Sequence, residues 1–174
     1  MKMRKSFEQA VCVILMLALE KNHRPIKNAI LSKRLQVSDS YLKKIMRKMV
    51  VGEIIISDAS KDGGFKLSRP LEEITMLDVY FAIEGKEDFV EIAHYANRIF
   101  DDSYKSYIKN EMDKDIPSFE DKILTTENSV LQVIFDGQKE FLDRLKNYPL
   151  SNIFKDINCK HGLVEWELIQ NREL

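Results

Sequence analysis

Residues Ser38–Gly85 read SDSYLKKIMRKMVVGEIIISDASKDGGFKLSRPLEEITMLDVYFAIEG. Ser38 is a capping residue ahead of an amphipathic run that reaches about Val50. Its apolar stripe is Leu42, Ile45, Met46 and Met49, with Tyr41 in part; its other face is Asp39, Ser40, Lys43, Lys44, Arg47 and Lys48. Gly52 stops the helix. Ile54–Ile56 is short and β-branched, Asp58–Gly64 is dense in turn formers, and Phe65-Lys66-Leu67 alternates. Strand, glycine-containing turn and strand make a hairpin over 54–67. Pro70 closes it, having no N–H to give to a ladder. A further helix runs from about Thr75 to Glu84. A short basic helix, a hairpin and a second helix, in that order, predict a winged helix.

Two elements precede this stretch. Ser6–Glu20 is apolar at helical spacing and then nearly all round, as in a helix buried on most sides. Asn22–Pro25 breaks it. Asn28 is placed to cap a helix over Ala29–Leu35, and Gln36-Val37 links that helix to Ser38. Two short helices so joined, the second cationic, form a helix-turn-helix. The predicted fold class is mainly α with a small β-hairpin wing: a winged helix-turn-helix domain over 1–85 and a helical region over 86–174.

The net charge of −1 hides a division. Residues 1–69 carry 15 Lys and Arg against 6 Asp and Glu, hence +9; residues 70–174 carry 12 against 22, hence −10. A basic half joined to an acidic one suits a nucleic-acid-binding part beside a part that does not bind nucleic acid. The longest apolar run, Ala10–Leu19, is half of the roughly 20 residues that a membrane span needs. It also begins too early for an ordinary signal peptide. No membrane partner and a cytoplasmic location are therefore expected. Two cysteines, Cys12 and Cys159, make neither a disulfide framework nor a four-thiolate metal site. Cys12 reads as a buried thiol. His23, His94 and His161 are scattered, and there is no phosphate loop, nucleophile elbow or dinucleotide fingerprint. An enzyme is not expected.

The motifs VSDSYLKKIMRKM, GGFKLSRP, EEIT and VYFAIEG, in this order and spacing across Lys5–Gly85, resemble the Rrf2 family of bacterial winged-helix transcription regulators. The resemblance implies a Ser-capped recognition helix, a wing ending in Gly-Gly-aromatic-x-Leu-x-Arg-Pro, and a long dimerisation helix downstream. Two departures stand out. Several members carry three cysteines in the loop before the dimerisation helix, whereas Lys86–Thr125 has none, so an iron–sulfur cluster lacks its ligands and no cofactor is expected. Members also often place Arg-Gly before the Gly-Gly; here Ala59-Ser60 stands there and Asp62 adds a negative charge.

Within that frame, double-stranded DNA is the expected partner. The first turns of a recognition helix reach base edges in the major groove. Ser40 and Lys43 are the expected base readers, with Tyr41 and Lys44 beside them; Tyr41 packing on the wing is the alternative. Lys33, Arg47 and Lys48 are expected on phosphates, which position without specifying, as are Lys61 and Lys66 of the wing. Ser38 and Asn28, as caps, would present backbone N–H groups to phosphate. Gly63 and Gly64 would give the wing turn its backbone freedom.

Downstream, Phe89–Met112 reads as an added helix. Thr125 or Thr126 would cap a long helix to about Tyr148, followed by PLSNI. Its stripe, Val130, Leu131, Ile134, Phe135, Phe141, Leu142 and Leu145, is the expected homodimer surface or, alternatively, the cover of its own subunit's core. Val164–Ile169 alternates apolar and acidic, fitting a strand or a short helix. The expected function is a homodimeric repressor on a near-palindromic operator. A winged helix that has lost DNA binding and docks on a partner protein is one rival; a sensor of a small-molecule effector or of redox state, through its C-terminal half, is another.

Overall fold

A computed structural model describes residues 3–60, 63–89, 119–154 and 164–170. All of the expected helix over Phe89–Met112 except Phe89 lies outside the described residues, as do Lys61, Asp62, His94, Cys159 and His161. The chain forms two compact units: Met1–Lys86 together with Asp143–Leu174, and Glu87–Leu142. Residues 143–174 cluster with the N-terminal unit.

The first unit opens with α1 (Lys5–Leu19), then α2 (Asn28–Arg34) and α3 (Asp39–Val51). Strands β1 (Ile55–Ser57) and β2 (Phe65–Leu67) pair antiparallel with Ile56 opposite Lys66, and α4 (Met76–Glu84) follows. The core is made where the apolar stripes meet: Phe7, Ala10, Ile14 and Leu17 of α1, Leu42, Ile45, Met46 and Met49 of α3, and Val79 and Ile83 of α4 are buried. Ile54, Ile55 and Ile74 close it from the hairpin side. Cys12 is half-buried rather than buried; loss of solvation, with Glu8 nearby, pushes its thiol above the ordinary range. Helix α4 starts on a capping box, Thr75 and Asp78 each bonding the other's backbone N–H.

The hairpin is tied to the chain ahead of α2. Ile26 and Phe65 exchange both N–H···O bonds at 2.9 Å, adding a bridge beside β2. Gly64 makes this approach possible: a Cβ there would lie 2.4 Å from the Ile26 carbonyl oxygen. At Gly64 the requirement is therefore closeness to another backbone rather than the conformational freedom expected of it.

Two distant segments return to this unit. Met76 N–H donates to the Tyr148 carbonyl and Leu150 N–H to that of Ile74, at 3.0 and 2.8 Å, which seats the buried Leu150 beside the start of α4. Val164 forms a parallel bridge with Glu20, and α6 (Trp166–Gln170) follows, so VEWELI is a bridge and then a helix. Trp166 donates its indole N–H to the Met16 carbonyl at 2.9 Å and its backbone N–H to the Glu20 carboxylate at 3.3 Å.

Glu20 is 6% exposed. Burial raises its pKa above the ordinary carboxylate value, and the Trp166 N–H and Arg24 oppose this only in part. The folded chain therefore holds this proton more tightly than the unfolded one. As pH rises from the ordinary Glu range through the raised folded value, this group makes stability fall. Glu20→Gln is expected to remove that decline, which urea melts across pH 4–8 measure; an unaltered pH profile would refute it.

In the second unit the described helix is α5, whose full span is Phe119–Lys146. It begins before Thr125 and Thr126, which lie inside it rather than capping it. Within a helix a hydroxyl can satisfy itself on the preceding turn, as Ser129 does on the Thr125 carbonyl at 2.8 Å. Phe141 meets Phe89 edge-on at 5.6 Å, and Gln138 bonds both Asp88 and the Phe89 N–H at 2.8 Å. Among the described residues no helix is long and apolar enough to cross a membrane.

Candidate nucleic-acid interface

Helix α3 buries Leu42, Ile45, Met46 and Met49, so the side chains on its opposite side must face solvent. At 100° per residue, Ser40, Lys43, Lys44 and Arg47 share that side, and all four are exposed. Lys43, Lys44 and Arg47 make no ion pair among the described residues. The sequence expectation for these four is thus placed on one accessible face. Ser38 is the N-cap as expected, its hydroxyl accepting the Tyr41 N–H at 3.3 Å; the Ser38 and Ser40 hydroxyl oxygens are 3.4 Å apart.

Three expected site residues have other engagements. Asn28 is not a cap: Lys27 holds that position and Asn28 opens α2. Its amide Nδ2 instead donates to the Asp39 carboxylate at 3.3 Å and to the Asp39 carbonyl at 3.4 Å, while Ser32 also bonds the Asp39 carboxylate. Asn28 and Ser32 therefore hold the first residue of α3 against α2. Lys48 lies at the edge of α3, and its ammonium donates to the Ile83 carbonyl at 2.6 Å. The end of α4 offers unpaired carbonyls and a partial negative charge, which draws this lysine off the cationic face. Tyr41 packs neither on the wing nor free: its hydroxyl donates to Gln9 Oε1 of α1 at 2.9 Å.

Lys33 is exposed on α2, and Lys66 is half-buried on β2. The wing carries an acid that the sequence reading passed over. Asp58 accepts the Ser60 N–H at 2.9 Å, and this bond, more than the nearby Lys66, holds its carboxyl below the ordinary range. A fixed negative charge at the wing turn repels phosphate, whereas the cluster of exposed cations stands on α3.

Arg69 was also not singled out. It donates to the Glu53 carbonyl at 2.6 Å and to the Glu73 carbonyl at 3.2 Å, and its guanidinium lies 3.3 Å from the Asp78 carboxylate. Glu53 follows α3 with a left-handed φ of 55°, so Arg69 pins the strained exit of α3 to the start of α4. The Arg-Pro pair in GGFKLSRP was the available signal.

Among the described residues of α5 the exposed apolar positions are Val130, Val133 and Ile134, with Val133 71% exposed. Leu131, Phe135, Phe141, Leu142 and Leu145 are half-buried. The expected dimer stripe thus divides in two, and Val133, which was not part of it, is the most exposed apolar residue of α5 among those described; its i+3 spacing from Val130 was the signal.

A family model described as Rrf2, iron-dependent transcriptional regulator, matches residues 3–156. The candidate HTH-type transcriptional regulators YwgB of Bacillus subtilis (strain 168) and YffB of Lactococcus lactis subsp. lactis (strain IL1403) are 44% and 42% identical over 86 residues. These matches cover 49% of this chain, which spans about half of each relative's length, 55%. The crystal structure of Staphylococcus aureus CymR superposes with a TM-score of 0.57 at 17% identity, covering 90% of this chain and 100% of that one. T. potens IscR gives 0.54 at 17% identity, covering 90% and 88%. At these identities the two structures share the fold. Among the described residues the iron in the family description finds no matching donors. Cys12 sits half-buried in α1 with its thiol protonated more firmly than usual, and among the described residues no three His, Cys, Asp or Glu groups converge.

Proposed function

The chain belongs to the Rrf2 family of helix-turn-helix transcriptional regulators rather than to an enzyme family, and on that premise we propose that it binds operator DNA as a homodimer. The observation that carries the reading is the single exposed face of Ser40, Lys43, Lys44 and Arg47 on a helix whose other side fills the core. Such a helix fits the major groove, with lysine able to donate to guanine O6 and N7. One short helix reads few base pairs, so two copies on a near-palindromic site are needed for a specific address. Val130, Val133 and Ile134 supply the face on which the copies would pair. Repression follows if the occupied operator overlaps a promoter, and the protein then works in the cytoplasm.

Selection of bound duplexes from a random pool tests this reading. Two half-sites at a fixed spacing are expected. Absence of enrichment, with no binding to random duplex even at low salt, would leave the protein-interaction reading, which Asp58 at the wing favours. For the dimer, Val133→Glu is expected to weaken self-association at least tenfold in sedimentation equilibrium, because it places a charge in a desolvated contact. An unchanged association constant rejects this face as the interface.

A further inference from the structure

Beside the cationic face lies an open groove between the end of α3 and α4, with a volume of about 640 Å³. Where Gly52 and Ala82 line it the two elements approach closely: a Cβ at Gly52 would stand 2.7 Å from that of Ala82. Phe81, Ala82 and Val51 give it an apolar lining, and Val51 is 77% exposed. Lys44, Arg47 and Lys86 stand around it. The Lys86 ammonium lies 5.6 Å from the centroid of the Phe81 ring, a cation–π contact that leaves it open to an anion. Glu53 and Asp78 are the acids on the wall, and Arg69 already holds the Asp78 carboxylate. Lys48 is spent on the Ile83 carbonyl. Three cations thus converge on an apolar lining without an ion-pair partner among the described residues.

We propose that this groove binds a small amphipathic anion, with an aromatic or branched apolar body against Phe81 and Val51 and a carboxylate, sulfonate or phosphate group at Lys86, Lys44 and Arg47. The volume is that of small-molecule sites, which are mostly apolar with a few polar groups that fix orientation. Lys44 and Arg47 also belong to the face proposed for DNA. Resting on that reading, the anion and the operator compete for the same charges, and each weakens the other by the same factor.

The test uses the full chain with 1-anilinonaphthalene-8-sulfonate and its uncharged counterpart N-phenyl-1-naphthylamine, both read by fluorescence. The sulfonate is expected to bind at one saturable site, at least tenfold tighter than the neutral probe. Lys86→Ala, an exposed position, should weaken the sulfonate at least fivefold and leave the neutral probe within twofold. Phe81→Leu should weaken both. Equal affinities for the two probes, or a sulfonate affinity indifferent to Lys86→Ala, overturns the groove; so does loss of the signal in Val133→Ser with retention in Lys86→Ala. In a second arm, saturating sulfonate should weaken duplex binding by the factor that duplex weakens the sulfonate. Duplex binding that ignores the sulfonate overturns the competition. A chain that binds no duplex at all defeats the DNA reading, while the fluorescence arm still decides the groove.

Discussion

Replacing Lys43, Lys44 and Arg47 together by alanine is expected to lower affinity for duplex DNA about a hundredfold near 150 mM salt. Three contacts at about 1 kcal/mol each give roughly 3 kcal/mol, and each 1.4 kcal/mol is tenfold. Contacts to phosphate also release counterions, so the slope of log affinity against log salt should flatten by up to about 0.9 for each one lost. Within the triad the roles differ. Lys43→Ala should cost roughly 1–3 kcal/mol at one base pair and relax selectivity there; Arg47→Ala should weaken all sequences alike. Lys48→Ala is the contrast: its ammonium is bonded to the Ile83 carbonyl, so it should lower the melting temperature while leaving the salt slope alone. Salt titrations by fluorescence anisotropy measure all four. A Lys48 variant that flattens the slope as much as Arg47→Ala does would reverse the assignment.

Gly64→Ala is expected to destabilise the fold by about 3 kcal/mol, at the upper end for a single added methyl in a packed site. The new Cβ would stand 2.4 Å from the Ile26 carbonyl oxygen and 2.5 Å from its carbon. Backbone atoms cannot rotate aside as a side chain does, so the bridge between Ile26 and Phe65 must part. For a chain of this length the melting temperature should fall by roughly 6–12 °C. Gly137→Ala is the counterpart: it lies inside α5 with nothing within 4 Å of its Cβ direction, so about 0.5–1 kcal/mol of stabilisation is expected. Calorimetry of the two variants decides it; equal shifts would remove the argument from close approach.

The elements of the N-terminal unit were legible because each carries its own signal. The stripe of α3, the Ser38 and Thr75 caps and the Gly-Gly between two β-branched or aromatic runs are local features, and the helices and hairpin formed where those features stood. What was not legible depended on partners far away in the chain. Asn28 has the chemistry of a cap, but Asp39 offers it two acceptors. Lys48 belongs to the same charged run as Arg47 and differs only in standing one edge closer to α4. Glu20 looks like the polar end of an apolar helix; the N–H it accepts belongs to Trp166, 146 residues away. Hydroxyl residues at 125 and 126 signal a helix start as readily as they sit inside one, so the beginning of α5 was set too late.

Helix α3 divides its labour between residues that do not overlap. Asp39 locks it to α2 through Asn28 and Ser32, Tyr41 and Lys48 fasten it to α1 and α4, and its apolar side is sealed in the core. Ser40, Lys43, Lys44 and Arg47 take no part in those fastenings. On the proposed reading of operator DNA by this face, a lineage could rewrite its address on the genome one letter at a time, since a substitution there would change what is read without changing the angle of the reader. The same separation makes these four positions the natural ones to randomise when a new target sequence is sought.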